Sequence, residues 1–264
     1  MKLGQRIYED YFKKSRLPKY KEVLTLAKEN GYKMVGIMDF YNLVASGEIG
    51  GGIKLLVNRH DIDTSPKVAR RLFEIEKEVY GKEGSATYYF RNSTIDSNLI
   101  SEIESYGYET GYHYEEIATY EKQHKLKSRA ALEQAMPQIR EEFVRDLDNF
   151  RKTTGSKSLT VVSHGDFINT RYKFQNYELL KDENTRNKSG ITLEAYDAIV
   201  NEPVKERYAD QVLLDSFSDN VKASIEKGCP CIMMLTHPRN WTVDVSANTK
   251  DNIIRLLQDL KYRL

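Results

Sequence analysis

Three side chains that could bind a metal or move a proton follow one apolar segment of this chain. His60, Asp61 and Asp63 come soon after the apolar residues 53–57, and the two carboxylates stand two positions apart. An imidazole and a carboxylate are usual ligands of a catalytic divalent ion, and a second carboxylate beside the ion can accept a proton from water. The three residues therefore provide half of a metal site or of an acid/base site.

A strand and a helix are predicted to position these three residues. Residues 53–57 have the length and β-branched content of a buried strand. Pro66 suits the first turn of a helix, and the apolar residues after it recur at helical spacing. The sequence therefore predicts that His60, Asp61 and Asp63 lie in a strand-to-helix loop. In α/β proteins, sites collect at the carboxyl ends of strands.

Further polar clusters follow other apolar strands in the same way, and together with the first cluster, which contains His60, they hold four of the five histidines. Parallel strands end at one edge of a sheet, so we expect these clusters to converge there. The clusters are His113, Tyr114, Glu115 and Glu116; Ser163, His164, Gly165 and Asp166; Thr236, His237 and Pro238; and the shorter pair Asp215 and Ser216.

Strands and helices alternate along the chain, which indicates an α/β fold with a largely parallel sheet. A strand is predicted at residues 86–90, a helix at 99–106 and a strand at 108–112. Residues 181–190 are charged and predict a loop. Residues 211–214 predict a further strand, which places Asp215 at its carboxyl end.

Composition restricts the class of partner. The chain has 264 residues, 40% of them hydrophobic, which is enough for a substantial core. It contains 40 Lys and Arg against 39 Asp and Glu, which gives no reason to expect nucleic acid or an anionic membrane as a partner. A small or neutral polar partner fits better. No segment has the apolar length of a signal peptide or a membrane span, so a cytoplasmic protein is expected.

Taken together, these motifs resemble the polysaccharide deacetylase family, the carbohydrate esterases with the NodB-homology fold. The resemblance covers about residues 20–262 and is nearest to the branch whose first motif reads His-Asp-x-Asp. Its most specific element is the string from Gly107 to His113, at its distance from the first motif. The string is Gly107, Tyr108, Glu109, Thr110, Gly111, Tyr112 and His113, and the other motifs are Arg59 to Asp63 with Ser65 and Pro66, Ser163 to Gly165, Asp215 with Ser216, and Leu235 to Pro238.

The resemblance implies both a fold and an activity. The fold would be a distorted (β/α) barrel in a single domain over residues 1–264, with residues 1–50 as a helical extension packed on the barrel. The activity would be hydrolysis of a non-peptide C–N bond. An acetyl group would leave an N-acetylated sugar or glycan precursor, with metal-bound water as the nucleophile. The cofactor would be a divalent ion, Zn²⁺ first, with Co²⁺, Mn²⁺ or Ni²⁺ as alternatives.

The resemblance also implies a role for individual residues. Asp63 and His113 match metal ligands, Asp61 the general base and His237 the general acid. Asp215 is a further catalytic candidate. The residues expected to contact substrate are Arg59, His60, Tyr114, Glu116 and Trp241.

One position departs from the family pattern. A further metal-binding histidine is expected four residues after His113, and Ile117 stands there instead. The third ligand must then be Glu115, Glu116 or His164, and His164 is favoured. The arginine-proline third motif of the family is also replaced, by the segment around His164.

Other classes of protein fit less of the sequence. A deacetylase-fold protein that binds a glycan or protein partner without catalysis is the main alternative, and Ile117 is its best support. The residues from Asp61 to Ser65 come near the DxDx[TV] motif of haloacid-dehalogenase phosphatases. That interpretation leaves the histidines at the other strand ends without a role. A DxD glycosyltransferase is disfavoured because nothing resembles a nucleotide-sugar site.

Overall fold

The structure is a computed structural model that describes residues 3–210 and 216–263. The strands within these ranges are β1 Tyr32–Val35, β2 Lys54–Ile62, β3 Thr87–Phe90, β4 Glu109–Tyr114, β5 Thr160–Ser163, β6 Leu193–Glu194, β7 Glu206–Ala209 and β8 Cys231–Thr236.

Helices alternate with the strands along the described chain. They are α1 Leu3–Tyr11, α2 Leu17–Glu29, α3 Ile37–Ala45, α4 Pro66–Tyr80, α5 Ser97–Tyr106, α6 Glu116–His124, α7 Arg129–Thr154, α8 Phe167–Tyr172, α9 Glu183–Ser189, α10 Ala198–Asn201, α11 Ser216–Glu226 and α12 Val245–Arg263. Short 3₁₀ turns occur at Gly81–Glu83, Asn92–Thr94, Asn176–Lys181 and Pro238–Asn240. The predicted α/β class is confirmed, because the strands pair in parallel and helices alternate with them along the chain. None of the described helices is both long and apolar enough to cross a membrane.

The chain divides into two compact units, and we describe each by itself. The first unit takes the described residues within Met1–Gly36, Ile49–Ala86 and Val204–Leu264. In it β2 pairs in parallel with β1 and β8, and β8 pairs with β7. His60 of β2 stands opposite Thr236 of β8. Because these strands end nearly level, the residues after each of them reach the same edge.

Strand β2 is longer than predicted, so His60 and Asp61 lie in the strand and not in the loop after it. The loop prediction for these two residues is wrong, whereas Asp63 does follow the strand. The apolar pattern stops at Val57, but the polar residues beyond it find buried partners: Asn58 donates to Glu76 at 2.6 Å. A strand continues through polar residues when their hydrogen bonds are made inside the fold.

The turn after β2 is held in an unusual conformation. Ser65 has φ 50°, in the left-handed region that a residue with a side chain rarely adopts. Its hydroxyl accepts from the Val68 N–H at 3.3 Å, which caps α4, and donates to Asp244 at 2.6 Å. Strain of this kind persists where several contacts fix it. Here the contacts fix the turn directly after Asp63.

The second unit takes residues Ile37–Glu48 and Thr87–Pro203. Its strands β3, β4, β5 and β6 pair in parallel in that order. Tyr114 of β4 stands opposite Ser163 of β5, so the residues after both strands lie at one edge. A Cβ added at Gly111 would lie 2.5 Å from the Thr160 carbonyl oxygen and 2.6 Å from the Tyr89 ring. A residue with a side chain would therefore clash at position 111, two residues before His113.

Other expectations are corrected or fall outside the described chain. The predicted loop at 181–190 is wrong because Asp182 caps α9: its carboxylate accepts the Thr185 N–H at 2.8 Å. The capping pattern was hidden in a run of charged residues. The predicted strand at 211–214 and Asp215 lie outside the described residues. The single domain over residues 1–264, with residues 1–50 as its extension, stays a prediction.

Candidate metal centre and catalytic groups

His113 is held on β4 by a backbone hydrogen bond. Its Nδ1 lies 3.0 Å from the carbonyl oxygen of Val162 on β5, and the residue is 2% exposed. A carbonyl only accepts, so Nδ1 carries the proton. A histidine fixed in this way coordinates a metal through Nε2.

His164 follows β5 and is held by a carboxylate. Its Nδ1 lies 3.1 Å from Glu115 Oε2, and Glu115 receives two hydrogen bonds from Arg91 Nη2, at 2.6 and 2.8 Å. Burial raises the pKa of Glu115, but the bonds from His164 and Arg91 outweigh it and lower the pKa to about 2. The His113 and His164 rings are 5.1 Å apart and nearly perpendicular.

The three predicted metal ligands are brought together. Asp63, His113 and His164 each offer one ligand atom, and these atoms lie within 4.8 Å of one another. One carboxylate oxygen with two imidazole nitrogens is a donor set that suits Zn²⁺ and related divalent ions and leaves a position for water. The residues present therefore fit the ion that the motifs imply.

The other two candidates for the third ligand are occupied differently. Glu115 is bonded by both Arg91 and His164. Glu116 is 3% exposed, and burial raises its pKa to about 8, so this carboxyl is protonated at neutral pH; the Tyr112 hydroxyl donates to it at 2.7 Å. A protonated carboxyl is a poor metal ligand. Ile117, at the position of the missing histidine, is fully buried in α6.

In the first unit, Asp61 forms a buried ion pair within β2. Arg59 Nε and Nη2 donate to its two oxygens at 2.8 and 2.7 Å, and the two residues are 2% and 3% exposed. The fork of the guanidinium fixes both carboxylate oxygens in direction. Arg59 therefore supports Asp61, at the end of the strand that leads to Asp63.

His237 follows β8 and pairs with Asp210. Its Nδ1 lies 2.7 Å from Asp210 Oδ1, and its backbone N–H donates to the same carboxylate at 3.0 and 2.9 Å. Burial lowers the pKa of His237, but Asp210, with smaller contributions from Asp63 and Asp61, outweighs it and raises the pKa to about 10. The imidazole is therefore charged at neutral pH.

Sequence reasoning missed Asp210. It follows β7, whose alternating half-buried and exposed residues gave no apolar signal. The more apolar segment 211–214 was taken as the strand instead, so Asp215 was chosen. The usable signal was a carboxylate soon after Tyr208, an aromatic residue of the kind enriched in strands.

A cavity of about 300 Å³ opens beside these groups within the first unit. It is lined by Asp63, Asp210 and His237, and also by cations of the N-terminal segment and of the chain after β8. Those cations are Arg6, Lys13, Arg239 and Arg255. A ligand in this cavity would meet both a carboxylate of the candidate metal centre and the charged imidazole.

Residues 9–16, which we call the N-terminal strap, hold the loop that follows His237. Lys13 Nζ donates to the Arg239 carbonyl at 2.6 Å, and the Arg16 backbone N–H donates to the Trp241 carbonyl at 2.6 Å. The Arg16 guanidinium also reaches the Asn240 carbonyl at 3.3 Å. Three successive carbonyls beyond His237 are therefore bonded by the strap.

Several residues predicted to contact substrate are buried, and their contact with substrate stays a prediction. His60 is fully buried, with Nε2 2.6 Å from Glu76. Tyr114 is also fully buried, and Trp241 is 3% exposed and donates to Asp210 at 2.7 Å. His60 bonds Glu76 of α4 and Trp241 bonds Asp210, so these side chains connect neighbouring elements of the fold. Arg59 and Glu116 are buried in the same way.

Comparison with known proteins adds a distant structural likeness. No family model matches the chain, and no curated protein matches it. A solved structure of the peptidoglycan deacetylase PdaC from Bacillus subtilis is similar at 13% identity with a TM-score of 0.30, covering 80% of this chain and 96% of that one. A mutant of PdaC gives the same values. Likeness at this level does not establish an activity.

Proposed function

We propose that this protein is a metal-dependent hydrolase that removes an acetyl group from an N-acetylated sugar or glycan precursor. The observation that carries the proposal is the grouping of Asp63, His113 and His164, with their ligand atoms within 4.8 Å of one another. The motifs that contain these residues resemble those of polysaccharide deacetylases, which supports this choice among metal-dependent reactions.

Asp63, His113 and His164 would hold the ion. When bound, a divalent ion polarises a carbonyl and lowers the pKa of water from about 15.7 to about 7, which allows amide hydrolysis at neutral pH. The Val162 carbonyl and Glu115 fix the Nδ1 atoms of the two histidines, so both rings would present Nε2. Zn²⁺ is the ion proposed, because two imidazoles and a carboxylate suit it.

Proton transfer falls to two residues of the first unit. Asp61, oriented by Arg59, would accept a proton from the attacking water. His237 would donate its proton to the nitrogen of the departing amine, and Asp210 keeps the imidazole charged and oriented for that step. General acid–base groups of this kind contribute about 10²–10⁴-fold to a rate.

The polar character of the cavity beside His237 supports a polar substrate. Its lining contains both cations and carboxylates, and the sequence as a whole carries a net charge of only +1. A sugar hydroxyl can donate to a carboxylate and accept from a guanidinium, so such a lining suits a neutral polyol.

Elemental analysis of protein purified without chelator would test this proposal. We expect about one divalent ion per chain in the wild type and a loss of the ion in Asp63→Ala and His164→Ala. His124→Ala and Asp148→Ala are matched controls, because both residues lie on exposed surface outside the cluster. The controls should retain the ion.

Turnover then separates catalysis from binding alone. With Zn²⁺ added, the wild type should release acetate from N-acetylated chito-oligosaccharides, and Asp61→Asn should retain the ion while losing turnover. A wild type that takes up no Zn²⁺, Co²⁺, Mn²⁺ or Ni²⁺ would overturn the hydrolase and favour the non-catalytic glycan-binding protein.

A further inference from the structure

A second cavity lies at the carboxyl end of β6, in the unit that carries His113 and His164. Its volume is about 510 Å³, which falls in the range of about 300–1,000 Å³ typical of small-molecule sites. It contains two tyrosines together with residues of both charges: Tyr177, Tyr196, Lys181, Arg186, Glu194 and Asp197. No role in the reaction described above uses it.

The two tyrosines give this cavity aromatic surface that is open to solvent. Tyr177 is 39% exposed and Tyr196 is 47% exposed. Single exposed rings are ordinary, but two rings that line one concavity form a shared surface. A tyrosine ring offers an apolar face and a polar tip, so it can pack against the carbon side of a ligand and still hydrogen-bond with it.

The cations in the cavity are already matched by carboxylates. Arg186 donates two hydrogen bonds to Asp197, at 2.8 and 2.5 Å, and a third to the Leu180 carbonyl at 2.6 Å. Lys181 pairs with Glu178 at 2.9 Å. A phosphate or sulfate group would have to break these pairs. A neutral ligand with hydroxyl groups would not, and it could use their remaining donor and acceptor positions.

Hydrogen bonds connect the cavity to the strand end that carries His164. Asn176, next to Tyr177, donates to the His164 carbonyl at 2.6 Å. Glu194 accepts from the Ser163 N–H at 3.0 Å and from the Tyr196 N–H at 2.5 Å. Each tyrosine is therefore one or two residues from a group that fixes the end of β5, and these bonds connect the cavity lining to the segment that carries His164.

From this arrangement we infer that the cavity is a subsite for a neutral sugar ring, stacked on Tyr177 and Tyr196. The inference rests on the proposed function, because an acetylated sugar at His164 would have its neighbouring ring in this cavity. It deepens that function by naming the substrate class. The enzyme takes a chain of at least two or three sugars, and an isolated monosaccharide leaves the subsite empty.

Isothermal titration calorimetry on the 264-residue protein would test the subsite without depending on turnover. The probes are N-acetylglucosamine, its β-1,4-linked trisaccharide and cellotriose, a neutral trisaccharide without acetamido groups. We expect the wild type to bind both trisaccharides more tightly than the monosaccharide. Tyr196→Ala and Tyr177→Ala should each weaken trisaccharide binding by about tenfold, because a stacking surface is removed.

Two kinds of control make this result specific. Tyr196→Phe and Tyr177→Phe keep the ring and should bind nearly as the wild type does. Tyr8→Ala removes a tyrosine that is 50% exposed on α1 and should leave binding unchanged. Circular dichroism should show that all variants are folded, because the substituted rings are substantially exposed.

The subsite and the hydrolase can fail separately. If the protein binds no metal but its trisaccharide affinity still depends on both tyrosines, the subsite is supported and the proposed hydrolase function is overturned. If acetate is released from N-acetylglucosamine as readily as from the trisaccharide, and the alanine variants bind as the wild type does, the subsite is overturned while the hydrolase stands.

Discussion

His237 and His164 are each hydrogen-bonded through Nδ1 to a carboxylate from a neighbouring strand end, yet the two pairs differ in what else holds the carboxylate. Apart from the imidazole, Asp210 is bonded by neutral groups, the N–H of Trp241 and the backbone N–H of His237. Glu115 is bonded by the Arg91 guanidinium as well as by His164.

This difference suits the two histidines to opposite tasks. The charge of Asp210 acts mainly on His237, whose pKa rises to about 10, and a charged imidazole can donate a proton. The Glu115 carboxylate is paired with the Arg91 guanidinium as well as with His164. It therefore orients His164, while the positive charge of Arg91 offsets much of its negative charge. A metal ligand must be a neutral imidazole. Glu115, held by Arg91, fixes His164 Nδ1 and would leave Nε2 for an ion. The two carboxylates therefore differ by one additional arginine, which suits His237 to its proposed role as acid and His164 to its proposed role as ligand.

Asp210→Asn should have the largest effect on this comparison. The amide can still hydrogen-bond His237 but no longer carries the charge that raises its pKa. We expect turnover to fall by about 10²–10⁴-fold, the alkaline limb of the kcat/KM profile to move to lower pH, and the metal content to stay unchanged. A pH–rate profile on trisaccharide, beside elemental analysis, measures all three. An alkaline limb that does not move would show that Asp210 does not set the charge of His237.

Glu115→Gln should have an intermediate effect, on metal affinity rather than on proton transfer. Residues that orient a metal-binding histidine typically account for about 10–100-fold in affinity. We expect Zn²⁺ binding to weaken by about that factor in competition with a chromophoric chelator. Glu178→Gln, which alters a partly exposed glutamate outside the cluster, is the control. Equal affinity in Glu115→Gln and the wild type would contradict the orienting role.

Glu116→Gln should have the smallest effect of the three variants at neutral pH, and the effect is on stability. Glu116 is a third buried carboxyl, and the Tyr112 hydroxyl bonds it in place of an imidazole or an arginine. Its pKa is raised to about 8 in the folded protein, above the value of an unfolded chain, so the folded state holds an additional proton between about pH 4.5 and 8. Stability of the wild type should therefore decline as pH rises through that window. Below about pH 4.5 the variant should be nearly as stable as the wild type. Its stability should not show the decline between about pH 4.5 and 8. Urea unfolding of the wild type and the variant at pH 5, 7 and 9 measures this difference. If the free energies of unfolding of the two proteins changed with pH in parallel, the prediction would be refuted.

Site residues could be placed from the sequence where they follow an apolar strand. His113 and His164 follow buried runs on β4 and β5, so their position at a sheet edge could be inferred from sequence. Asp210 could not, because β7 shows alternate half-buried and exposed residues and presents no apolar run. His60 was misjudged for the converse reason: its buried partner Glu76 lies in α4, and no local pattern reveals a hydrogen bond between distant residues.

The N-terminal strap, residues 9–16, is a structural support of the loop that follows His237. The family resemblance begins at about residue 20, so a shortened protein designed from that resemblance alone would omit Lys13 and Arg16. Its fold could survive while the carbonyls of Arg239, Asn240 and Trp241 lost their donors. If such a shortened protein were inactive, displacement of the loop after His237 would explain the result, and the activity of the 264-residue chain would be a separate measurement.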